Sequence, residues 1–245
     1  MGSITQTEII DFIEHNIHLF HERRIDNLLS LKFNTILCRK NPYLFKAKNQ
    51  VTACDLVKAI LDAHLSSQEE GIFGGFLEQL SIYICEKVYN GKKSAAEGID
   101  LELSKNNIVY IVTIKSGPNW GNSGQINEMK EKFNKAKRIL GTNTRGISVV
   151  AVNGCCYGRD DKPDKGEYLK LCGQRFWEFI SGDEELYLQI IEPLGYKPKE
   201  KNEQFLTEYP KVVNKFTLEF INEYCDPNGA IYWEKIVKQN SGKRK

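Results

Sequence analysis

Two charged residues on neighbouring predicted strands have the types and the spacing to do chemistry together. Asp100 lies in the alternating segment 99–103, and Lys115 ends the β-branched run 108–115. Strand geometry puts Thr113 and Lys115 on one face, and pairing of the two strands can place Asp100 near Lys115. A carboxylate and an ammonium group in this position form either a structural salt bridge or a metal site with an adjacent cation.

The sequence that flanks Asp100 and Lys115 is more specific evidence than the pair itself. Residues 98–102 are GIDLE, and residues 114–122 are IKSGPNWGN. An aspartate followed thirteen residues later by a strand that ends in lysine resembles the PD-(D/E)XK nuclease superfamily. The KSGPN run is similar to type II restriction endonucleases, particularly those that cut short palindromes with a G/C-rich core. The resemblance covers about residues 70–153.

One position departs from the superfamily pattern. Two residues before Lys115, where members carry Asp or Glu, this chain has Thr113. A hydroxyl does not replace a carboxylate as a charged ligand for Mg²⁺, so either the enzyme is inactive or the acid comes from elsewhere. Restriction enzymes of the CCGG type are similar in keeping Ser or Thr here and supplying a glutamate from the following helix. That helix offers Glu128 and Glu131.

Helical angles distinguish these two glutamates. The apolar stripe that must face the sheet consists of Ile126, Met129, Phe133, Ala136 and Leu140. At 100° per residue, Glu131 points nearly opposite this stripe, whereas Glu128 lies on its flank. A residue on the flank can reach over the sheet edge. We therefore predict that Glu128 replaces the missing acid, with Glu131 as the alternative.

The resemblance also implies a metal centre with several ligands. Superfamily members often carry a glutamate on the helix before the hairpin, and here Glu78 lies within an apolar, buried helix, with Glu70 at its start as the alternative. The implied ligands of one or two Mg²⁺ ions are Asp100, Glu128, Glu78 and the carbonyl of Ile114. Lys115 would orient the attacking water, and the expected products carry a 5′-phosphate and a 3′-hydroxyl.

Polar and cationic residues after the predicted strands are candidates for DNA contacts. Cations bind phosphates without reading sequence, whereas paired donors and acceptors read base edges. The candidate DNA-binding residues are Asn119, Trp120, Asn122, Lys130, Arg159, Lys162, Lys165, Gln174 and Arg175. A polar surface loop and a solvated helix face are the alternative interpretations.

The order of the predicted elements gives the fold class. Helices are predicted over 7–31, 55–65 and 70–89, then the hairpin, a helix to about residue 140 and a strand over 148–152. Further helices follow, broken at Pro193, Pro198, Pro210 and Pro227. This order predicts an α/β fold, a restriction-endonuclease-like core with a mixed central β-sheet flanked by helices. We expect one domain over 1–245, with its core at about 69–180 and helical additions at 1–66 and 184–240.

Composition excludes several classes of protein. Across 245 residues, 34 basic and 32 acidic side chains give a net charge of +2, which is too balanced to indicate a polyanion partner by itself. Cations nevertheless concentrate at 32–58 and 130–145. No apolar run is long enough to span a bilayer and no secretory signal is visible, so we expect a cytoplasmic protein. Seven cysteines without a C-x-x-C pair argue against a disulfide scaffold.

The resulting hypothesis is a Mg²⁺-dependent type II restriction endonuclease that acts on double-stranded DNA. Cutting both strands of a palindrome requires two active sites related by a dyad, which predicts a homodimer. The helical segment 205–224 offers a surface for it, and the family implies a companion DNA methyltransferase. The alternatives are a structure-selective repair or junction nuclease on the same fold and a catalytically silent DNA-binding protein.

Overall fold

The computed structural model describes residues 2–143, 148–195 and 199–243. The helices are α1 (Gln6–Ser30), α2 (Phe33–Leu37), α3 (Pro42–Ala47), α4 (Ala53–Tyr89), α5 (Ser123–Asn143), α6 (Gln174–Ser181), α7 (Leu186–Gln189), α8 (Lys199–Tyr224) and α9 (Trp233–Ser241). The strands are β1 (Lys92–Lys93), β2 (Leu101–Lys105), β3 (Ile108–Lys115), β4 (Ser148–Cys155) and β5 (Leu169–Cys172). None of the helices in these ranges is both long and apolar enough to cross a membrane.

The chain divides into two compact units. The first combines Met1–Ile17 with Phe73–Lys197, and the second combines His18–Ile72 with Pro198–Lys245. Each unit therefore draws on two separate stretches of sequence. The expectation of one domain over the whole chain stays a prediction.

The first unit contains a mixed sheet in the order β1-β2-β3-β4-β5. The pairs β1-β2 and β2-β3 are antiparallel, whereas β3-β4 and β4-β5 are parallel. The predicted fold class, a mixed sheet flanked by helices, is confirmed. Because β3, β4 and β5 run in the same direction, the loops that follow their carboxyl ends emerge at one edge of the sheet.

The predicted hairpin forms between β2 and β3. Its turn residues Asn106 and Asn107 have φ angles of 53° and 59°, and Lys105 pairs with Ile108. A two-residue turn with both φ angles positive is the type that matches the twist of the flanking strands, and asparagine tolerates this conformation well. The turn fixes the register that brings the start of β2 beside the end of β3.

Helix α5 covers one face of the sheet, as its periodicity predicts. Met129, Phe133 and Ala136 are buried in a cluster with Ile111 and Ala151 of the sheet. Ile126 and Leu140 pack against the same cluster from its border. This packing fixes the rotation of α5 about its axis, and with it the directions of the polar residues on its flanks.

Helix α4 corrects the prediction of two helices over 55–65 and 70–89. It runs without interruption from Ala53 to Tyr89. The intervening segment has serines but no proline, and buried residues such as Leu65 and Phe76 lie on either side of it. Tertiary burial outweighs the modest helix propensity of such a segment.

The carboxyl-terminal third differs from the prediction at one proline. Pro210 lies inside α8 rather than between helices. It removes the donor for the carbonyl of Leu206, but Leu206 is 60% exposed, so water can reach that carbonyl. Pro193 begins a 3₁₀ turn and Pro227 separates α8 from α9, in agreement with the prediction. Pro198 lies outside the described residues.

The second unit has its own helical core. Most of its buried side chains are aliphatic, and they surround a group of aromatic rings in which Phe33 of α2 packs against Phe216 and Phe220 of α8. The hydroxyl of Tyr224 donates a hydrogen bond of 3.0 Å to Oδ1 of Asn34. These contacts tie α2 to α8 and hold the segment that leads from α1 into α4.

Candidate active site

Asp100 is fixed at the start of the hairpin by the backbone of β3. Its N–H donates to the carbonyl of Val112 at 2.9 Å, and its Oδ2 accepts the N–H of Ile114 at 2.6 Å. The carboxylate therefore lies one residue before Lys115, at the carboxyl end of β3. The pairing of the strands puts the acid and the lysine at the same end of the hairpin, as the sequence predicts.

Glu78 on α4 belongs to the same electrostatic group. Its side chain is half-buried, and burial raises its pKa above the ordinary glutamate value. The negative charge of Asp100 raises this pKa further, while Lys93 and Lys115 act in the opposite direction. Two carboxylates that repel each other, with cations beside them, form a set of hard oxygen donors that suits a divalent cation such as Mg²⁺.

The Lys115 ammonium lies over an aromatic ring. Its Nζ is 5.4 Å from the ring centroid of Trp120. The indole N–H of Trp120 donates to Oδ1 of Asn153 at 3.1 Å, which fixes the orientation of the ring. A cation over a fixed aromatic face loses part of its conformational freedom. Trp120, predicted to bind DNA, thus positions the lysine.

Thr113, which occupies the usual acid position, has a structural role. It is only 2% exposed and accepts a hydrogen bond of 3.2 Å from Nδ2 of Asn153. Its hydroxyl contacts Sδ of Met129 at 3.6 Å. This side chain is enclosed between the sheet and α5, so it does not open toward the carboxylates. Thr113 therefore contributes to the packing between β3 and α5.

Glu128 lies outside the group formed by Asp100 and Glu78. Its side chain is 61% exposed and forms an ion pair of 2.6 Å with Lys132, which lowers the pKa of Glu128. The stem of Lys132 lies against Gly98, two residues before Asp100, so the ion pair is beside the entrance to the hairpin. Glu131 is exposed as well. In the part of the chain that the structure describes, no three metal-ligating side chains converge.

Glu70, the alternative to Glu78, is exposed and belongs to the second unit. The structure therefore brings Asp100, Glu78 and Lys115 together and leaves Glu128 paired with Lys132.

The strand end that carries Lys115 is packed against the loop after β4. The N–H of Cys156 donates to the carbonyl of Lys115 at 2.9 Å. The ring of Tyr157 lies directly on Gly117, where any larger residue would collide with it. The two loops therefore form one continuous surface at the sheet edge.

A cleft of about 430 Å³ opens beside this surface. It brings together three of the predicted DNA-binding residues, Arg159, Gln174 and Arg175. Gln174 donates to the carbonyl of Glu184 at 3.1 Å, and Arg175 donates to the carbonyl of Asp160 at 3.0 Å. Arg159 is exposed and is the member of this group whose guanidinium has no hydrogen bond within the described residues.

Asp160 holds the loop of the cleft in place. Its carboxylate forms ion pairs of 2.9 Å with Lys165 and 3.7 Å with Lys170, and it accepts the N–H of Lys162 at 3.0 Å. Burial raises the Asp160 pKa, but the contacts with Lys165, Lys162 and Lys170 lower it more, so this pKa lies below its ordinary value. The loop is therefore rigid at its base. The lysines predicted to bind DNA serve partly to build it.

The remaining predicted DNA-binding residues have mixed roles. Asn119 is exposed. Asn122 caps the start of α5 through reciprocal hydrogen bonds of 3.0 Å with Gln125. Lys130 forms an ion pair of 2.9 Å with Glu167. All three residues lie just before α5 or in its first half. Two of them, Asn122 and Lys130, bind partners within the protein.

Sequence reasoning missed two residues that hold the site together. Asn153 is 1% exposed and is hydrogen-bonded to Trp120, 33 residues before it in sequence, and to Thr113, 40 residues before it. Lys170 of β5 donates to the carbonyl of Pro118 at 2.9 Å. A signal for β5 was present, since Leu169 and Leu171 alternate with Lys170. The role of Asn153 depends on the register of β3 with β4, which no local pattern reveals.

Comparison with known families agrees with this geometry. A family model described as type II restriction endonuclease EcoO109I matches residues 7–202. No curated protein matches the chain significantly. The family consists of restriction endonucleases, for which double-stranded DNA is the implied substrate. Because the match covers well over half of the chain, this protein belongs to the EcoO109I family of type II restriction endonucleases.

Proposed function

We propose that this protein is a Mg²⁺-dependent, site-specific endonuclease that hydrolyses both strands of DNA and leaves 5′-phosphate ends. The observation that carries the proposal is the group formed by Asp100, Glu78 and Lys115 at the sheet edge. Burial and the charge of Asp100 both raise the pKa of Glu78, so the apo site holds like charges together at a cost. Such a cost is typical of a site that receives a cation.

Two carboxylates and the Ile114 carbonyl would hold the metal. Carboxylate and carbonyl oxygens are the ligands that Mg²⁺ prefers, and this donor set fits them. When bound, Mg²⁺ supplies a water of lowered pKa and offsets the charge that develops on the phosphate. We also propose that Glu128 completes the set, which requires its carboxylate to leave Lys132. Exposed ion pairs of this kind are weak because water screens them, so the carboxylate can leave Lys132 easily.

Lys115 and Asp100 have separate proposed roles in the reaction. The Lys115 ammonium, held over Trp120, would donate to the attacking water or to a phosphate oxygen and stabilise the charge of the transition state. Asp100, fixed by the Ile114 N–H, keeps one oxygen oriented without needing to reorganise. Orientation before the reaction is what lowers the barrier at such sites.

Sequence recognition is proposed for the cleft beside the site. Arg159 offers a guanidinium, the usual partner of guanine in the major groove, and Gln174 is a second candidate for base contacts. Asn119, Trp120, Asn122, Lys130, Lys162, Lys165 and Arg175 are proposed to contact or position the DNA backbone near this surface. Their local contacts place them on an already ordered surface.

Assembly as a homodimer is proposed from the chemistry of double-strand cutting. Two equal cuts at a palindrome require two active sites related by a dyad. The segment 205–224 on α8 remains the proposed contact surface, and it carries the exposed apolar residues Leu206, Leu218 and Ile221. A companion methyltransferase that protects the host sites is likewise proposed from the family.

Digestion of genomic DNA tests the proposal directly. Purified protein with Mg²⁺ is expected to give fragments whose ends share one short sequence and carry 5′-phosphates, and the chelated enzyme is expected to give none. Asp100→Asn is the matched inactive control. Cuts that follow DNA structure instead of sequence would favour a repair or junction nuclease.

A silent DNA-binding protein is the second candidate, because Thr113 fills the usual acid position and is enclosed. Tight binding to duplex DNA without any cleavage in Mg²⁺ or Mn²⁺ would favour it.

A further inference from the structure

The second unit contains a small polar pocket between α1, α2 and α4. It measures about 180 Å³ and is lined by Ser30, Leu31, Lys32, Thr35, Ile36, Arg39, His64 and Gln68. This volume is far above the ~10–15 Å³ that admits one water and below the ~300 Å³ at which sites for drug-sized ligands begin. The pocket therefore has the size for a small group with its hydration.

Two cations at this pocket, Lys32 and Arg39, have side chains without a partner among the residues that the structure describes. Within the described residues, neither the Lys32 ammonium nor the Arg39 guanidinium takes part in a hydrogen bond, an ion pair or a contact with an aromatic ring. Many other cations of the chain are engaged, as Lys40 shows by donating to the carbonyl of Ala63 at 2.9 Å. None of the residues that line the pocket is a carboxylate. An excess of positive charge without a counter-ion is a feature that attracts anions.

Two further side chains, His64 and Gln68, add hydrogen-bonding groups to the wall of the pocket. His64 is only 7% exposed, and its ring has no hydrogen-bond partner in the described part of the chain. Burial lowers the His64 pKa, and the positive charges of Lys40 and Arg39 lower it further. The Oε1 atom of Gln68 is buried and has no hydrogen-bond partner within the described ranges of the chain. A half-turn of this amide would point its NH₂ group at an anion instead.

We propose that this pocket binds a phosphate group. Arg39 would supply the fork that matches two phosphate oxygens, Lys32 would supply a point charge, and Thr35 and His64 would donate from the wall. Donors on several sides suit a tetrahedral oxyanion better than a planar carboxylate. The phosphate comes either from a DNA backbone or from a free phosphate ion.

Histidine ring signals in NMR give a direct readout on the full-length protein. The chain has four histidines, so the His64 signal is identified by its loss in His64→Asn. Should that variant fail to fold, separate replacement of His15, His18 and His21 identifies the other three signals and leaves that of His64. Inorganic phosphate is titrated first, and potassium chloride at equal ionic strength is the control for salt.

The expected result is a saturable shift of the His64 signal with inorganic phosphate. Loss of one charge-assisted hydrogen-bond donor should weaken this binding about tenfold or more in Arg39→Ala and in Lys32→Ala. Lys58→Ala removes one positive charge from an exposed position of α4 outside the pocket and is expected to bind as the wild type does. An equal shift with potassium chloride, or equal weakening in Lys58→Ala, would overturn the proposal.

A short DNA duplex distinguishes the two sources of phosphate. A His64 shift with the duplex, together with a salt dependence of DNA binding that falls by about one unit of slope in Arg39→Ala, identifies a backbone phosphate. A shift with inorganic phosphate while the bound duplex leaves His64 unmoved identifies a free phosphate. If neither ligand moves the signal, the pocket is not a phosphate site. This inference stands apart from the nuclease proposal, because its phosphate arm requires no DNA cleavage.

Discussion

Glu78 and Glu128 are two glutamates near the same hairpin in opposite electrostatic settings. Glu78 is half-buried, and burial and Asp100 both raise its pKa. Glu128 is exposed, and Lys132 lowers its pKa. The protein thus leaves the inner carboxylate with an unfavourable charge and neutralises the outer one. On the proposed function, the inner acids define where a cation binds. The outer acid joins them only after it leaves Lys132.

Removal of Glu128, the outer acid, is the test of this comparison with the largest expected effect. If Glu128 leaves Lys132 to bind the metal, Glu128→Ala is expected to abolish cleavage while Glu131→Ala stays close to wild type. Single-turnover cleavage of a DNA fragment with one site measures both variants. Full activity of Glu128→Ala would show that the ion pair with Lys132 is an ordinary surface contact with no role in cleavage.

Lys115→Ala tests the group formed by Asp100, Glu78 and Lys115, because it removes the ammonium of that group. Loss of an ammonium that stabilises transition-state charge should slow cleavage about 10²- to 10³-fold, with DNA affinity changed little. Single-turnover rates and equilibrium DNA binding separate the two effects. Lys92→Ala is the control, because Lys92 is an exposed lysine of β1 that lies 3.9 Å from Glu102. A wild-type rate in Lys115→Ala would remove the lysine from the mechanism.

Glu78→Gln sharpens the comparison, because it is expected to change activity and stability in opposite directions. Cleavage should fall about 10- to 100-fold, as for loss of a group that supports a metal site. The folded-state pKa of Glu78 is raised, so the folded protein binds its proton more tightly than the unfolded chain does, and stability declines as pH rises through that pKa. Glu78→Gln should therefore be more stable than wild type near neutral pH without metal.

Urea unfolding near neutral pH and in acid below the ordinary glutamate pKa measures this effect. The two proteins should differ at neutral pH and converge in acid, where wild-type Glu78 is protonated. Equal stability at both pH values would show that Glu78 carries no electrostatic cost.

Arg159→Ala is expected to have the smallest effect. Loss of one bidentate base contact should reduce discrimination at one position of the site by about 1–3 kcal/mol. Cleavage of substrates with single-base changes measures this loss. Arg175→Ala is the comparison, since its guanidinium donates to the carbonyl of Asp160 and should affect the loop more than base choice. Unchanged discrimination in Arg159→Ala would assign recognition to another surface.

Local patterns predicted the elements that depend on nearby residues. The hairpin follows from alternation and two asparagines, and the α5 stripe follows from period 3.6. Helix α1 (Gln6–Ser30) begins where Thr5 and Glu8 cap each other, as their spacing predicts. These features need no knowledge of distant partners.

Features set by distant contacts escaped prediction. The continuity of α4 and the proline within α8 depend on burial supplied by other elements. At the site, helical angles led to the choice of Glu128, which stays a prediction, and they could not reveal that Lys132 would hold its carboxylate. Asn153 was missed because its partners Trp120 and Thr113 meet it only through the pairing of β3 with β4.

The contact of the Tyr157 ring with Gly117 joins the loop proposed to read bases to the segment that follows Lys115. Lys170 reinforces the junction by bridging Asp160 and the Pro118 carbonyl. If the cleft reads bases as proposed, a shift of the Tyr157 ring changes its contact with Gly117, two residues after Lys115. A bulkier residue at 117 would displace this ring, so on the proposed function we expect it to lower both the discrimination between bases and the cleavage rate.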